Sequence, residues 1–276
     1  MLKAIIFDMD DTLVDWSKRS QDWQEFERLH LGLVLSAIAQ ETHSPELVDQ
    51  FMREEHRLAE EAWIGAEAKR GGDAPHIGTI MRQALENIGI PHELIDIEAC
   101  LKAYDWQPMG GLVPFPDVSE VLPILASHGI KIGMITNAFQ PMWMRDVELA
   151  AFGLLEHFAE CRISAADFGK LKPHPAIFEA ALNCLGVQPD EAVFIGDSHE
   201  ADIVGAQGVG MRAVLRIVEK PMARISGLVV PDGAVNTLHE LLPLLDKWYP
   251  DWRNQDSVGV TPTGAVNGFT ADNPLS

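Results

Sequence analysis

The sequence predicts an α/β protein, a doubly wound parallel sheet whose chain leaves the sheet after the first strand and forms a long helical insert. From residue 113 onward, apolar strand-like runs alternate with helical patterns, which is typical of a parallel sheet with helices on both faces. Residues 15–112 show helical spacing and no convincing strand. The Gly- and Pro-rich run "GGLVPFPDV" at 110–118 marks the boundary between the two patterns.

The elements of the first half follow from local patterns. The apolar run "LKAIIFD" at 2–8 predicts a strand that is buried on both faces. Apolar residues at three- to five-residue steps predict a helix within 17–40, and Ser44 followed by Pro45 predicts the N-cap and first turn of a second helix. The rest of the insert is predicted as a loop and two helices, at residues 69–76, 77–89 and 91–106.

The second half predicts the remainder of the sheet. Strands are predicted at 130–136, within 160–169, at 191–197, at 211–218 and, as a short last strand, at 227–230. Helices are predicted at 116–128, 174–186, 200–210 and 235–248, the second of them ending at Gly186 as its C-cap. Residues 250–276 lack periodicity and are rich in Gly, Thr, Asn and Pro, which predicts a flexible tail.

Composition and charge narrow the classes of partner. No apolar run approaches the ~18 residues of a membrane span, and "MLKAIIF" is too short for a signal peptide, so we expect a cytoplasmic protein. The formal net charge of −20 disfavours binding to nucleic acid or to a membrane surface. The three cysteines are scattered and show neither zinc spacing nor a disulfide framework. No oligomeric state is indicated.

Polar and charged side chains follow the apolar part of four predicted strands. Because the carboxyl ends of parallel strands meet at one edge of the sheet, where ligands bind, we expect these side chains to converge. Carboxylates held close together need a neutralising cation, and oxygen ligands suit Mg²⁺, whereas a lysine and a hydroxyl suit a phosphoryl group. The strand ends therefore predict a magnesium-dependent phosphate site, and in chain order they carry Asp8, Asp10 and Thr12, then Thr136 and Asn137, then Asp167, Lys170 and Lys172, and last Asp197 and Asp202.

Four short motifs on these strand ends carry a family resemblance. "FDMDDTL" (7–13), "MITN" (134–137), "KP" (172–173) and "GDSHEAD" (196–202) occur in an order that resembles the haloacid dehalogenase-like (HAD) hydrolase superfamily, whose members are mostly phosphatases. The resemblance implies a Rossmann-like core and identifies the helical insert as similar to the cap domain of that family. The implied domains are a catalytic core at 1–14 and 113–249, a helical cap at 15–112 and a flexible tail at 250–276.

The resemblance also implies a role for each matching residue. Asp8 resembles the nucleophile that forms an aspartyl phosphate, and Asp10 resembles the general acid and base. The magnesium ligands implied are Asp8, the backbone carbonyl of Asp10, Asp197 and Asp202. The phosphate-holding groups implied are Thr136 and Lys172, to which Asn137 adds a backbone donor. Lys170 is a rival to Lys172, but the proline after Lys172 favours the latter, and Asp11 has no implied chemical role.

These roles predict a magnesium-dependent phosphatase that hydrolyses a small phosphomonoester, a phosphorylated metabolite, through an aspartyl-phosphate intermediate. Three alternatives use the same core: a phosphoryl-transferring mutase, a 2-haloacid dehalogenase and a non-catalytic binding member. Asp10 and the acidic loop at 197–202 speak against the dehalogenase, which needs neither. Several insert residues are candidates for reaching a substrate, namely Arg53, Arg57, Trp63, Lys69, Arg70, His76 and Arg82.

Overall fold

The computed structural model describes residues 1–39, 44–69, 71–218 and 229–254. Its strands are β1 (Ala4–Phe7), β2 (Val14–Asp15), β3 (Val113–Pro114), β4 (Lys131–Thr136), β5 (Cys161–Ser164), β6 (Ala192–Gly196), β7 (Arg212–Arg216) and β8 (Gly233–Val235). Six of them form one sheet in the order β5-β4-β1-β6-β7-β8, and every neighbouring pair is parallel. The first strand of the chain therefore lies in the middle of the sheet, which confirms the predicted α/β class.

The helices divide into an insert and the helices of the sheet. Between β2 and β3 lie α1 (Trp23–Ala39), α2 (Pro45–Glu67), α3 (Ile77–Asn87) and α4 (Ile97–Ala103). The sheet carries α5 (Val118–Ser127), α6 (Met142–Ala151), α7 (Ala165–Phe168), α8 (Pro175–Leu185), α9 (Gly205–Gly208) and α10 (Leu241–Trp248), with a π-helical segment at His199–Val204 directly before α9. No helix of the described residues is long and apolar enough to span a bilayer.

Side chains of β1 alternate between two hydrophobic clusters, one on each face of the sheet. Ile5 and Phe7 pack in the cluster to which α5 and α10 contribute, whereas Ala4 and Ile6 pack in the cluster that contains residues of α8 and α9. All four side chains are fully buried. Since burial of this kind is the main source of folding free energy, β1 is a firm support for the residues that follow it.

One helix start and one helix end agree with the predicted caps, and one predicted helix is broken. Ser44 accepts from the backbone N–H of Leu47 with Pro45 in the first turn, and Gly186 ends α8 in a left-handed conformation. The stretch 91–106 is not one helix, because the side chain of Asp96 accepts from two backbone N–H groups and starts α4 afresh after a 3₁₀ turn. An N-cap of this kind ends one segment and begins the next.

The helix expected within 17–40 is present as Trp23–Ala39, and Asp22 caps its start through the N–H groups of Gln24 and Glu25. Two further expectations are corrected. Among the described residues the last strand lies at Gly233–Val235. Of the strand expected at 227–230, residues 229–230 are not in a strand and 227–228 fall outside the described residues. The helix expected from 235 begins at Leu241, after a 3₁₀ turn.

Helix α6 is absent from the sequence-based prediction. Its buried face consists of Met144, Arg145, Glu148 and Leu149, so charged residues occupy two positions where an amphipathic pattern would place apolar ones. A regular spacing of apolar residues is the signal that predicts a helix from sequence. In α6 the buried pair of Arg145 and Glu148 interrupts that spacing, so the helix was not predicted.

The structure shows an ordered contact at each of two predicted domain boundaries, where the insert joins the core and where the core meets the C-terminal segment. β2 and β3 form a small antiparallel ladder at the point where the chain leaves for the insert and returns from it. At the other end, Trp252 is fully buried and donates to Asp246, so the chain packs on the core as far as residue 254. The remainder of the expected tail, 255–276, lies outside the described residues, and the division into core and cap stays a prediction.

Candidate active site

The carboxyl ends of β1 and β6 place two aspartates side by side. Asp8 directly follows β1 and donates its backbone N–H to Ile195 of β6, and Asp197 directly follows β6. Carboxylate oxygens of Asp8, Asp197 and Asp202 all lie within 4.8 Å of one another. The strand-end pattern in the sequence therefore identified a real cluster, and it is one whose charges need a cation close by.

Lys172 supplies a cation from the chain itself. Its ammonium lies 2.6 Å from Oδ1 of Asp8, 2.7 Å from Oδ1 of Asp202 and 3.1 Å from the carbonyl oxygen of Ile135. These three acceptors match the three N–H donors of an ammonium group. Lys172 is only 4% exposed, and although burial alone lowers its pKa, the carboxylates of Asp202 and Asp8 raise the pKa of Lys172 above its ordinary value. The lysine is therefore charged.

The surroundings of Asp8 raise its pKa and so favour its neutral form. Burial raises the pKa of Asp8, and the neighbouring charges of Asp202, Asp197 and Asp10 raise it further, against the lowering effect of Lys172. A carboxyl group in this position favours any additional cation that restores its ionised form. The donor set, several carboxylates with only oxygen atoms, is the set that Mg²⁺ prefers.

Asn137 holds the backbone of Lys172. Its Oδ1 accepts from the N–H of Lys172 at 2.8 Å, and its Nδ2 donates to the carbonyl oxygen of the same residue at 3.1 Å. This two-point clamp joins the end of β4 to the loop before α8 and fixes where the ammonium points. The predicted contribution of Asn137 was a backbone donor to phosphate, and its side-chain clamp was not predicted.

Asp202 is held from two sides. Its Oδ1 accepts from Lys172 and its Oδ2 accepts from the backbone N–H of Ser198 at 2.9 Å. Ser198 in turn caps the π-helical segment through the N–H of Ala201. A side chain on Gly196 would overlap the carboxylate of Asp202, so the glycine of this motif keeps room for the aspartate.

Asp10 lies beside the cluster, and the described residues bind it through a single carboxylate oxygen. Its Oδ1 accepts from the guanidinium of Arg145 at 2.6 Å and from the indole N–H of Trp16 at 2.8 Å. Neither donor was among the predicted site residues. Trp16 follows the first motif by only a few residues, but Arg145 lies on α6, the helix that the sequence pattern did not reveal.

Asp11 stabilises the local backbone between β1 and the following turn. Its backbone φ is +58°, a left-handed conformation that Asp tolerates better than most residues, and its side chain accepts from the backbone N–H of Trp16. This geometry agrees with the expectation that Asp11 takes no part in the chemistry.

Most of the predicted site residues surround one cavity. It measures about 320 Å³ and is lined by Asp8, Asp10, Asp11, Asn137, Lys172, Asp197, Ser198, Ala201 and Asp202. Thr136 does not line it, but the Oγ1 of Thr136 is buried and has no hydrogen-bond partner among the described residues. Asp167 and Lys170 also lie outside it, because Asp167 accepts from Met142 N–H at the start of α6 and Lys170 pairs with Asp73 at 2.5 Å.

A second cavity of about 450 Å³ adjoins the first and reaches the insert. It shares Asn137, Lys172, Ser198 and Ala201 with the first cavity and extends to Trp63, Ala66 and Gly71. Of the other insert candidates, Arg57 pairs with Glu54 and Glu61 on an exposed helix face, and His76 caps the start of α3. Trp63 is thus the candidate that meets the cavity, whereas Arg70 lies outside the described residues.

Comparisons with known proteins identify the family. The family model of the haloacid dehalogenase-like hydrolases matches residues 2–210. A glyceraldehyde 3-phosphate phosphatase from Methanopyrus kandleri is 30% identical over 248 residues, which cover 89% of this chain and 97% of that protein.

Two solved structures are similar over most of the chain. A HAD phosphatase from Thermococcus onnurineus has a TM-score of 0.55 at 25% identity and covers 88% of this chain and 98% of its own. A 2-haloacid dehalogenase from Pseudomonas syringae pv. Tomato DC3000 has a TM-score of 0.60 at 27% identity and covers 90% of this chain and 100% of its own.

Proposed function

The chain belongs to the haloacid dehalogenase-like hydrolases, and on that premise we propose that it is a magnesium-dependent phosphatase acting on a small phosphomonoester through an aspartyl-phosphate intermediate. The observation that carries the proposal is the ammonium of Lys172 held between Asp8 and Asp202, with Asp10 lining the same cavity. A nucleophile, a proton-transfer group and a cation for the phosphoryl charge are thus within one small space.

The reaction begins with attack of a carboxylate oxygen of Asp8 on phosphorus, and the bond between phosphorus and the leaving oxygen breaks. Asp10 gives its proton to that leaving oxygen. In the second half, Asp10 takes a proton from a water molecule whose oxygen attacks the phosphorus of the aspartyl phosphate. The bond from phosphorus to Asp8 then breaks, which releases inorganic phosphate and restores the carboxylate. Lys172 keeps Asp8 oriented and stabilises charge on the phosphoryl oxygens.

Magnesium fits the residues that line the cavity. Asp8, Asp197 and the backbone carbonyl of Asp10 would hold the ion, with Asp202 completing the acidic surroundings. When bound, the ion supplies positive charge that stabilises the phosphoryl oxygens in the transition state. Thr136 and Lys172 are proposed to hold the phosphate, and the unpartnered hydroxyl of Thr136 supports this, because a buried hydroxyl without a partner is costly unless a ligand satisfies it.

A small metabolite is the substrate class that the cavities favour. The second cavity, of about 450 Å³, lies beside Lys172 and is walled by the insert, which supports a compact leaving group enclosed between the insert and the sheet. A triose phosphate is a suitable first substrate, since a similar protein is named glyceraldehyde 3-phosphate phosphatase. The dehalogenase alternative has support from one similar solved structure, but Asp10 and the acidic loop have no task in that reaction.

Replacement of the nucleophile tests the proposal. We expect Asp8→Asn to abolish hydrolysis of p-nitrophenyl phosphate and of a panel of phosphorylated metabolites, since an amide cannot form the acyl phosphate. The matched control is Asp11→Asn, in the same motif, which keeps an acceptor for Trp16 and should alter kcat/KM by less than about tenfold. Chelation of magnesium should stop turnover, and re-addition should restore it.

Three results would contradict the proposal. They are turnover of Asp8→Asn at the wild-type rate, failure of the wild type on the whole panel with magnesium, and halide release from 2-chloropropionate in place of phosphate release. A mutase would instead show phosphoryl transfer to a second hydroxyl-bearing substrate with no net release of phosphate.

A further inference from the structure

A buried arginine on α6 reaches the group proposed to transfer protons. Arg145 is 2% exposed, and its Nη2 donates to Oδ1 of Asp10 at 2.6 Å and lies 3.1 Å from the sulfur of Met9. Its Nη1 lies 2.9 Å from Oε2 of Glu148, which is itself 1% exposed. Taking a guanidinium out of water is unfavourable, so an arginine in this position is stable only with well-placed anionic partners.

The two donors to Asp10 meet the same oxygen atom. Arg145 Nη2 and Trp16 Nε1 both bind Oδ1, at 2.6 and 2.8 Å. Within the described parts of the chain, no hydrogen bond reaches Oδ2 of Asp10. An oxygen that accepts two hydrogen bonds, one of them from a cation, is the poorer site for a proton. The unbound oxygen is therefore the one that can carry a proton to a ligand.

The two residues that donate to Asp10, Arg145 and Trp16, both lie on regular secondary structure. Arg145 and Glu148 are three residues apart on α6, so they share one face of the helix, and this face is buried against the core. Trp16 begins the 3₁₀ turn that follows β2, directly after the small ladder. Asp10 is consequently held between a helix of the sheet and the first crossing to the insert, and its carboxylate has little rotational freedom.

We propose that Arg145, supported by Glu148, is a positioning residue that fixes the carboxylate of Asp10 through Oδ1 and makes Oδ2 its proton-transferring oxygen. The inference rests on the proposed phosphatase function. In the first half-reaction the proton on Oδ2 passes to the leaving oxygen as its bond to phosphorus breaks. In the second half Oδ2 receives a proton from the attacking water, so the group returns to its initial state and Oδ1 keeps both hydrogen bonds throughout.

The test compares two leaving groups. An alkyl phosphate such as glyceraldehyde 3-phosphate needs a proton on its leaving oxygen, whereas 2,4-dinitrophenyl phosphate releases a stable anion and does not. The variant is Arg145→Met with Glu148→Met. It removes the hydrogen bond from Arg145 to Asp10 and leaves neither Arg145 nor Glu148 as a buried charge without its partner. We expect kcat/KM to fall about a hundredfold for the alkyl phosphate and less than about tenfold for the dinitrophenyl ester.

The chain offers a matched control in a second buried ion pair. Arg216 binds both carboxylate oxygens of Asp117 at 2.9 and 3.0 Å, and neither residue lines the cavity of Asp8 and Asp10. Arg216→Met with Asp117→Asn should change kcat/KM by the same factor for both esters. Trp16→Phe, which removes a single donor to Oδ1 and keeps the ring, should shift the ratio of the two rates in the same direction by a smaller factor, and it decides the matter if the double variant at α6 does not fold.

The outcomes are distinguishable. An equal loss for both esters in the Arg145 and Glu148 variant, or no change in the ratio for Trp16→Phe, would overturn the positioning role and leave the proposed function intact. A wild-type protein that hydrolyses neither ester in the presence of magnesium would overturn the proposed function and the inference with it.

Discussion

At the scale of single residues, the site depends on which lysine the chain brings to Asp8. Two lysines lie two positions apart in the loop before α8, and only the second is buried among carboxylates. Lys170 instead forms an ion pair with Asp73, which is largely exposed. Exposed pairs of this kind contribute little to stability because water and salt screen them.

This difference predicts unequal effects of the same substitution. Lys172→Ala should lower kcat/KM by at least about a thousandfold, because the phosphoryl charge and Asp8 both lose their cation. Lys170→Ala should leave kcat/KM within a few-fold of the wild type. Steady-state kinetics on one substrate measures both, and a larger effect at Lys170 would show that the loop had been assigned the wrong lysine.

Some residues of the site could be predicted from the sequence and others could not. Asp8, Lys172 and Asp202 stand at strand ends in short motifs, and strand ends of a parallel sheet meet at one edge whatever the details of packing. Arg145 and the clamp of Asn137 on Lys172 depend instead on contacts between segments far apart in the chain. A sequence shows such residues only as one more charge or one more amide.

At the scale of elements, the insert contains a pair of buried carboxyl groups between α1 and α2. Glu27 of α1 and Glu55 of α2 are nearly inaccessible, and His56 contacts Glu27. Burial raises the pKa of Glu27 to about 7, against the lowering effect of its hydrogen bond with Glu55. Burial and the neighbouring charge of Glu27 raise the pKa of Glu55 to about 8. Both carboxyl groups therefore keep their protons to a higher pH than an exposed glutamate does.

The pair makes the stability of the fold depend on pH. In the unfolded chain both groups lose their protons near pH 4.5, whereas the folded chain keeps them to about pH 7–8. The folded state binds more protons across that window, so the free energy of unfolding falls as the pH rises from about 4.5 to 8. Glu55→Gln, which cannot ionise, should reduce this fall by several kcal/mol.

Urea unfolding of the two proteins between pH 5 and pH 9 measures the difference. The control is Glu61→Gln, on the same helix, because Glu61 is exposed and pairs with Arg57 at the surface. It should follow the wild-type pH dependence. The idea fails if Glu55→Gln loses as much stability with rising pH as the wild type does.

The helices and strands also show which elements the apolar spacing of the sequence predicts and which it does not. Most helices of the insert and most strands of the sheet were predicted because their apolar spacing is regular. Helix α6 was not, because its buried face contains Arg145 and Glu148. The helix predicted at 200–210 begins as a π-helical segment at His199–Val204. Both departures lie at the candidate site, where side chains serve the chemistry as well as the core.

At the scale of the whole molecule, the insert is bonded to the loops that form the site. Leu171 N–H donates to the carbonyl of Gly72, Ala74 N–H donates to that of Gly169, and Ile77 N–H donates to that of Phe139. These bonds join the connection between α2 and α3 to the loops that carry Lys172 and Asn137. The position of the insert and the position of the lysine are therefore linked.

A substitution at the contact should show this link. Gly71 has φ +76°, and an added Cβ would lie 2.6 Å from the backbone nitrogen of His174. We expect Gly71→Ala to displace the loop of Lys172 and to lower kcat/KM about a hundredfold, since small displacements at a reacting centre have effects of that size. Gly129→Ala is the control, because Gly129 has φ +73° and no atom within 4 Å of the added Cβ.

Both variants should lose about 1–2 kcal/mol of stability from the strained backbone, as measured by urea unfolding, and Gly71→Ala should lose more because its Cβ also meets the backbone of His174. Only Gly71→Ala should lose activity. Equal activities in the two variants would mean that the insert contact does not position the lysine.

The contact between Lys172 and Asp8 spans 164 positions of the chain and encloses the whole insert. Closing a loop of that length has an entropic cost that must be met before the contact contributes, so contacts of this kind form late in folding. Helices can form early because their contacts are local, but no single helix brings the ammonium of Lys172 to the carboxylate of Asp8. During refolding, enzymatic activity should therefore return with the slowest phase, after most helical signal has been regained.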